Sequence, residues 1–412
     1  MKLLLFIVII VAIAIAGSRI TFLNRKLPLG FRSIIFTGSE YIFIGVLLGG
    51  MGLNLVDAKS LKNLEPFLIF GLSWIGFLFG LQFNFRNLNT LHGFFFSVSA
   101  IQAAFTFTVT TAALYIAFKY FTPLPDKLII IMALTLGSAA CCTAQSSLGV
   151  VNDNYKFKNR KLFSLLQYIS GIDGLFALFF LSLTTCIFPY VTNTGFNLTN
   201  SLQCFFLSIG IGIIPALILV ILSKAKFSQQ EFIVFIVGVV LFGGGLAIKT
   251  HNSPLLIGFI CGIITANFCR HRLRALETAV QSEKSIYIII LIILGAGWTL
   301  KFNFILVITG IYFAVRILGK TVGTFAATRS FKADFNIPPT VGLGLIAEGG
   351  LAVAIIINFS FLYPSLSDYL VTIIILSMFI NEIISPKLVL LQFDSPEPKE
   401  IDNNRITNKK GK

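Results

Sequence analysis

Charge is scarce in this sequence. Asp, Glu, Lys and Arg make up 12% of its 412 residues, about half the share usual in soluble domains, so a water-soluble globule cannot house most of the chain. Acids are scarcer than bases, 17 against 32, which leaves a net charge of +15. That excess does not mark a nucleic-acid binder, because the basic residues stand in short loops between apolar runs, where they orient a membrane protein. Histidine occurs three times, and the six cysteines (Cys141, Cys142, Cys186, Cys204, Cys261, Cys269) show no CxxC spacing. They read as structural thiols, and no structural metal site is expected. No Ser, Cys or His constellation has catalytic spacing, so neither an enzyme nor a cofactor is expected. What abounds is apolar: 56% of the residues are hydrophobic.

A membrane helix needs about 20 apolar residues. Thirteen runs are candidate spans: roughly 3–17, 34–53, 64–81, 92–118, 127–150, 162–188, 200–222, 231–248, 254–269, 285–300, 302–325, 338–359 and 369–391. The first also fits a signal peptide, since Ala14-Ile15-Ala16 resembles a cleavage site. Its charge bias is reversed, however, with only Lys2 before it and Arg19, Arg25, Lys26 and Arg32 after it, so it is read as a membrane helix. The loops alternate in charge. One set carries Arg19 to Arg32, Arg86, Lys156 to Lys161, Lys224, Lys226, Arg270 to Lys284, Arg329 and Lys332; the other holds only Lys59, Lys62, Lys119, Lys127, Lys249 and Lys301. The positive-inside rule then places the N-terminus outside the cell membrane and the C-terminus in the cytoplasm. Residues 1–392 form the transmembrane domain in this reading. The polar tail 393–412 is too short for a nucleotide-binding regulatory domain.

The sequence repeats itself weakly. Ile44 to Gly49 resembles Ile257 to Gly262, and Leu81 to Phe85 resembles Leu300 to Phe304, in the same order and seven spans apart. An odd offset turns the second copy upside down, as in the inverted-topology repeats of transporters. Span 5 then matches span 12. Both hold small or polar stretches in mid-membrane, Gly137 to Ser147 and Gly342 to Gly350. Unwound backbone is tolerated there only where it is buried in protein or lines a cavity. Paired broken helices point to a binding site; close packing through small residues is the competing explanation.

Asp173 falls near the middle of span 6. A carboxylate there costs at least ~2.5–3.5 kcal/mol, and without a partner it takes up a proton. A group that holds either a proton or a small cation, never both, couples their movements. Ser170, one turn earlier, and Thr143 are candidate oxygen ligands beside it. Glu348 lies in the second interrupted stretch, Glu382 in span 13, and Arg316 and Lys320 in span 11. These four are candidates for a second acid or for ion pairs. Arg316 is expected to neutralise Glu348 or Glu382, and Lys320 to snorkel to the inner surface. Glu40 is expected at the interface, with Trp298 and Tyr369 as interfacial anchors.

Over residues 33–391 the chain resembles the sodium/hydrogen exchanger family of the monovalent cation:proton antiporter superfamily. The segments that carry the likeness are Ile44 to Gly52, Gly80 to Asn84, Ser170 to Leu183, Arg316-Ile317-Leu318-Gly319-Lys320, Gly342 to Ala354 and Asn381 to Pro386. The resemblance implies an all-α polytopic protein with about 13 transmembrane helices, inverted repeats and two crossed discontinuous helices. It implies a homodimer whose protomers pair a scaffold (spans 1–3 and 8–10) with a mobile core (spans 4–6 and 11–13). It implies alternating-access exchange of Na+ or K+ for H+, with the essential acid at Asp173. The chain departs from the family pattern at Ile172, where a polar or acidic residue is usual, at Glu348, where many members carry a base, and at Gln82 and Asn84, which replace acids. One titratable carboxylate in place of two suggests one proton per cation. Two further readings stay open: a sodium-coupled symporter of a small organic solute on the same fold, and a channel or non-transporting scaffold.

Overall fold

Backbone groups in lipid have no water to bond, so an apolar run satisfies them inside a helix. The computed structural model describes residues 2–19, 29–56, 61–85, 93–187, 198–225, 227–299, 304–331, 335–393 and 397–398, and it is predominantly α-helical. In chain order the helices are α1 (Lys2–Arg19), α2 (Leu29–Thr37), α3 (Glu40–Leu48), α4 (Glu65–Leu81), α5 (Gly93–Phe121), α6 (Asp126–Cys141), α7 (Ser146–Asn154), α8 (Arg160–Ile187), α9 (Leu198–Leu222) and α10 (Gln229–Lys249). There follow α11 (Pro254–Phe268), α12 (Arg272–Gly297), α13 (Ile305–Ser330), a 3-10 turn (Val341–Leu345), α14 (Gly350–Leu362) and α15 (Ser367–Leu390). Seven segments among the described residues are long and apolar enough to cross a membrane alone. The remaining expected spans are short or broken.

The helices pack in two groups. In one, α4 lies along α11, α3 along α12, and α9 and α10 join α11; α1 packs on α12 with Phe6, Ile10 and Ala14 buried along one face. In the other, α5 packs on α13 and α6, α8 packs on α5 and α6, and α15 lies against α13, α14 and α7. α2 packs on α7 and α15, whereas α3 packs on α12, so the second expected span straddles the two groups. α12 starts at Arg272, well before the expected 285, because Arg272 to Gln281 is rich in good helix formers and the helix runs on past its apolar part. Two tail residues pair antiparallel with the basic segment before α8, Tyr155 with Pro398 and Lys156 with Glu397.

Glycines set the tightest contacts. A Cβ on Gly76 or Gly80 of α4 would sit 2.0 or 2.2 Å from the carbonyl oxygens of Leu255 and Phe259 in α11; one on Gly258 or Gly262 of α11 would sit 2.1 or 2.2 Å from those of Ser73 and Phe77. Small residues spaced four apart let membrane helices touch backbone to backbone. The contact between α3 and α12 uses the same device, through Gly45, Gly49 and Gly295. Exchanging the two repeats turns α3 into α11 and α12 into α4, so one contact becomes the other. The inverted repeat seen faintly in sequence is therefore a repeat of packing. Gly258→Ala is expected to cost about 3 kcal/mol, the upper range for overpacking, read as early thermal unfolding of the purified protein. Gly238→Ala, where a Cβ meets nothing within 4 Å, should change little.

Candidate ion-binding site

Two spans are interrupted where expected. α6 ends at Cys141 and α7 begins at Ser146; the 3-10 turn ends at Leu345 and α14 begins at Gly350. The two unwound segments cross, with the Ala144 N–H donating to the Ala347 carbonyl at 2.9 Å. Gly349 is needed at this crossing, since a Cβ there would come within 2.6 Å of the Ala144 Cβ. Each break exposes helix-end carbonyls, which carry partial negative charge.

Two cations answer them. Arg316, fully buried in α13, donates to the carbonyls of Ala140 (3.2 Å), Cys142 (2.7 Å), Ile346 (2.5 Å) and Ala347 (3.3 Å), and so ties both breaks together. Lys320, one turn on and also fully buried, donates to the Cys141 carbonyl at 2.5 Å, to Thr143 Oγ1 at 2.7 Å and to Asp173 Oδ2 at 3.0 Å. Thr143 completes the contact: its hydroxyl donates to Asp173 Oδ2 and its backbone N–H to Oδ1 at 3.2 Å. Asp173 is fully buried. The centre is thus an acid and an ammonium side by side, wrapped in oxygen atoms at a helix break.

The structure brings Asp173, Thr143 and Lys320 together and sorts the other candidates. The snorkelling expected of Lys320 is corrected: its ammonium points inward, because a buried carboxylate and a helix-end carbonyl offer it three oxygens. Ser170 is buried but donates to the Gln167 carbonyl at 2.9 Å, so in this conformation its hydroxyl is turned along its own helix. Arg316 approaches Glu348, with Nε 3.7 Å from Oε1, and not Glu382. Glu348 is saturated by donors: the Tyr312 hydroxyl at 2.6 Å, Ser377 at 2.7 Å and Asn381 Nδ2 at 3.0 Å. Glu382 sits apart, accepting a hydrogen bond from Ser39. Trp298 donates its indole N–H to Thr372 at 2.9 Å, and Tyr369 stacks on Phe304. Cys141, Cys142, Cys261 and Cys269 are free and buried; the side chains of Cys186 and Cys204 lie outside the described residues. Tyr312 and Ser377 went unmarked in the sequence, and Asn381 entered there only at the head of the closing segment, with no role. Their signal was spacing: Tyr312, Arg316, Lys320 and Thr324 form one polar stripe of α13, and Ser377, Asn381 and Ser385 form one of α15.

The sodium/hydrogen exchanger transmembrane family model matches residues 20–390. The chain belongs to the sodium/hydrogen exchanger family. It is a multi-pass membrane protein and a cation:proton antiporter, and the symporter reading is not favoured. The fold agrees. The sodium proton antiporter MjNhaP1 from Methanocaldococcus jannaschii, solved at pH 8, is similar with a TM-score of 0.65 at 15% identity, over 96% of this chain and 100% of that one. An electron-microscopy structure of the same antiporter gives 0.60 at 14% identity, over 87% and 92%. No curated protein matches this exchanger.

Proposed function

We propose that this exchanger carries its cation, Na+ or K+, at Asp173 and Thr143, and that Lys320 is the group the cation displaces. The observation behind the reading is the Lys320 ammonium itself, a monovalent cation held by a carboxylate, a hydroxyl and a helix-end carbonyl. Hard cations take oxygen ligands of this kind, and broken-helix ends supply them in transporters. When the cation enters, Lys320 gives up its proton and withdraws. When the cation leaves, Lys320 is reprotonated and pairs with Asp173 again. α5, α6, α8, α13, α14 and α15 would carry this site past the group built on α4, α11 and α12. The N-terminus would lie outside and the C-terminus in the cytoplasm of the cell membrane, and by family resemblance the working unit is a homodimer.

Charge accounting gives the test. With the cation bound, Asp173 is negative, the ion positive and Lys320 neutral; on the return, Asp173 is negative and Lys320 positive. The site is neutral in both legs, so one proton moves per cation and the exchange is electroneutral. A net charge carried across about 100 mV would feel about 2.3 kcal/mol. In proteoliposomes with an internal pH reporter, sodium-driven exchange is expected to run equally fast at zero potential and under an imposed potential. A rate that follows the potential would refute the one-proton scheme.

A further inference from the structure

One buried acid has no place in this scheme. Glu382 of α15 is fully buried, and no Lys or Arg among the described residues forms an ion pair with it. One of its oxygens accepts the Ser39 hydroxyl, the Thr37 hydroxyl also reaches the carboxyl, and Oε1 has no hydrogen-bond partner. Ser39 stands just past Gly38, whose φ of 81° breaks the second span between α2 and α3, and its hydroxyl meets that of Thr37 at 2.7 Å. Ser385 follows Glu382 by one turn on the same face of α15; it is fully buried and its hydroxyl has no partner. Glu40 of α3, Tyr287 of α12 and Glu348 lie within electrostatic reach of Glu382, and Glu40 and Tyr287 each have a buried oxygen without a partner. Lys284 of α12 faces Glu40.

Buried polar atoms are nearly always bonded. Here the unbonded atoms of Glu382 and of three side chains beside it, Glu40, Tyr287 and Ser385, are all oxygens. A proton on Glu382 would satisfy one of them, whereas a bound cation takes several oxygens at once. We propose that Glu382, with the hydroxyls of Ser39 and Ser385, forms a second monovalent-cation site on the seam between the two helix groups. The inference rests on the Asp173 reading, since an ion held there waits its turn for Asp173.

The test is binding of radiolabelled sodium to the purified full-length protein, beside exchange in proteoliposomes. Asp173→Asn is expected to retain one saturable sodium site. Adding Glu382→Gln should weaken that site at least about tenfold, as expected for loss of a charged ligand. Ser39→Ala in the Asp173→Asn background should weaken it several-fold, and it serves if the Gln variant does not fold. In exchange, Glu382→Gln alone should raise KM for sodium about fivefold, somewhat less than that binding loss, with the maximal rate little changed. The proposal fails if folded Asp173→Asn, or Asp173→Asn/Lys320→Gln where the single variant does not fold, binds no sodium while the wild type does, or if adding Glu382→Gln leaves that binding unchanged. It fails too if Glu382→Gln moves only the pH profile, which would make Glu382 a proton carrier. An Asp173→Asn protein that still exchanges would overturn the Asp173 reading instead, so the two failures are distinct.

Discussion

Asp173→Asn should reduce cation-driven proton movement in proteoliposomes by at least about 100-fold, the loss of roughly 2.7 kcal/mol of ion stabilisation. The substitution keeps the size of the side chain and its contact with Thr143. It removes the only negative charge that touches Lys320 among the described residues, and with it the competition between proton and cation. It also leaves a buried ammonium facing an amide, and breaking a buried pair from one side costs about 3–5 kcal/mol. Loss of transport could then reflect loss of fold, and a second variant separates the two. Lys320→Gln in the Asp173→Asn background removes both charges, so thermal stability should return to near wild type while transport stays lost. A double variant that transports would show that the carboxylate is not the carrier. A double variant as unstable as the single one would show that the ion pair is not what holds this part of the core.

The parts of the site that depend on composition and period were legible in the sequence. The breaks at 141–147 and 342–350 announce themselves as small and polar residues inside apolar spans, and Asp173 as an acid in mid-membrane. The inverted repeat was visible because backbone contact leaves only glycine at Gly45, Gly49, Gly258 and Gly262, so packing constrains the letters directly. What failed to show was anything decided by where a long side chain ends. Lys320 has a flexible stem that reaches either the surface or Asp173, and the choice depends on how α13 crosses the breaks. Ser170 is on the right face but bonds to Gln167, because a serine in a helix can always turn to a carbonyl of its own preceding turn. The break at Gly38 went unmarked because a single glycine inside a helix is not by itself a stop, and with it went the contact between Ser39 and Glu382.

Arg316→Met should destabilise the protein more than any other single substitution in the core, by about 3–5 kcal/mol or more. Two accounts of that loss make different predictions. If Arg316 mainly neutralises Glu348, then Glu348→Gln should rescue Arg316→Met, since the uncompensated acid is gone. If it mainly satisfies the ends of the broken helices, no change at Glu348 can help. The geometry favours the second account. Four carbonyls lie 2.5–3.3 Å from the guanidinium, two on each side of the crossing, whereas the Glu348 carboxylate is 3.7 Å away and already bonded to Tyr312, Ser377 and Asn381. Without Arg316 those carbonyls are left buried without a charged donor, each costing about 1–3 kcal/mol. Arg316→Met/Glu348→Gln should therefore unfold close to where Arg316→Met does. Arg316→Lys should fall between, because an ammonium keeps the charge but has three donors where the guanidinium has five in a fixed plane. Full rescue by Glu348→Gln would reassign Arg316 from the clamp across the two breaks to a simple counter-ion.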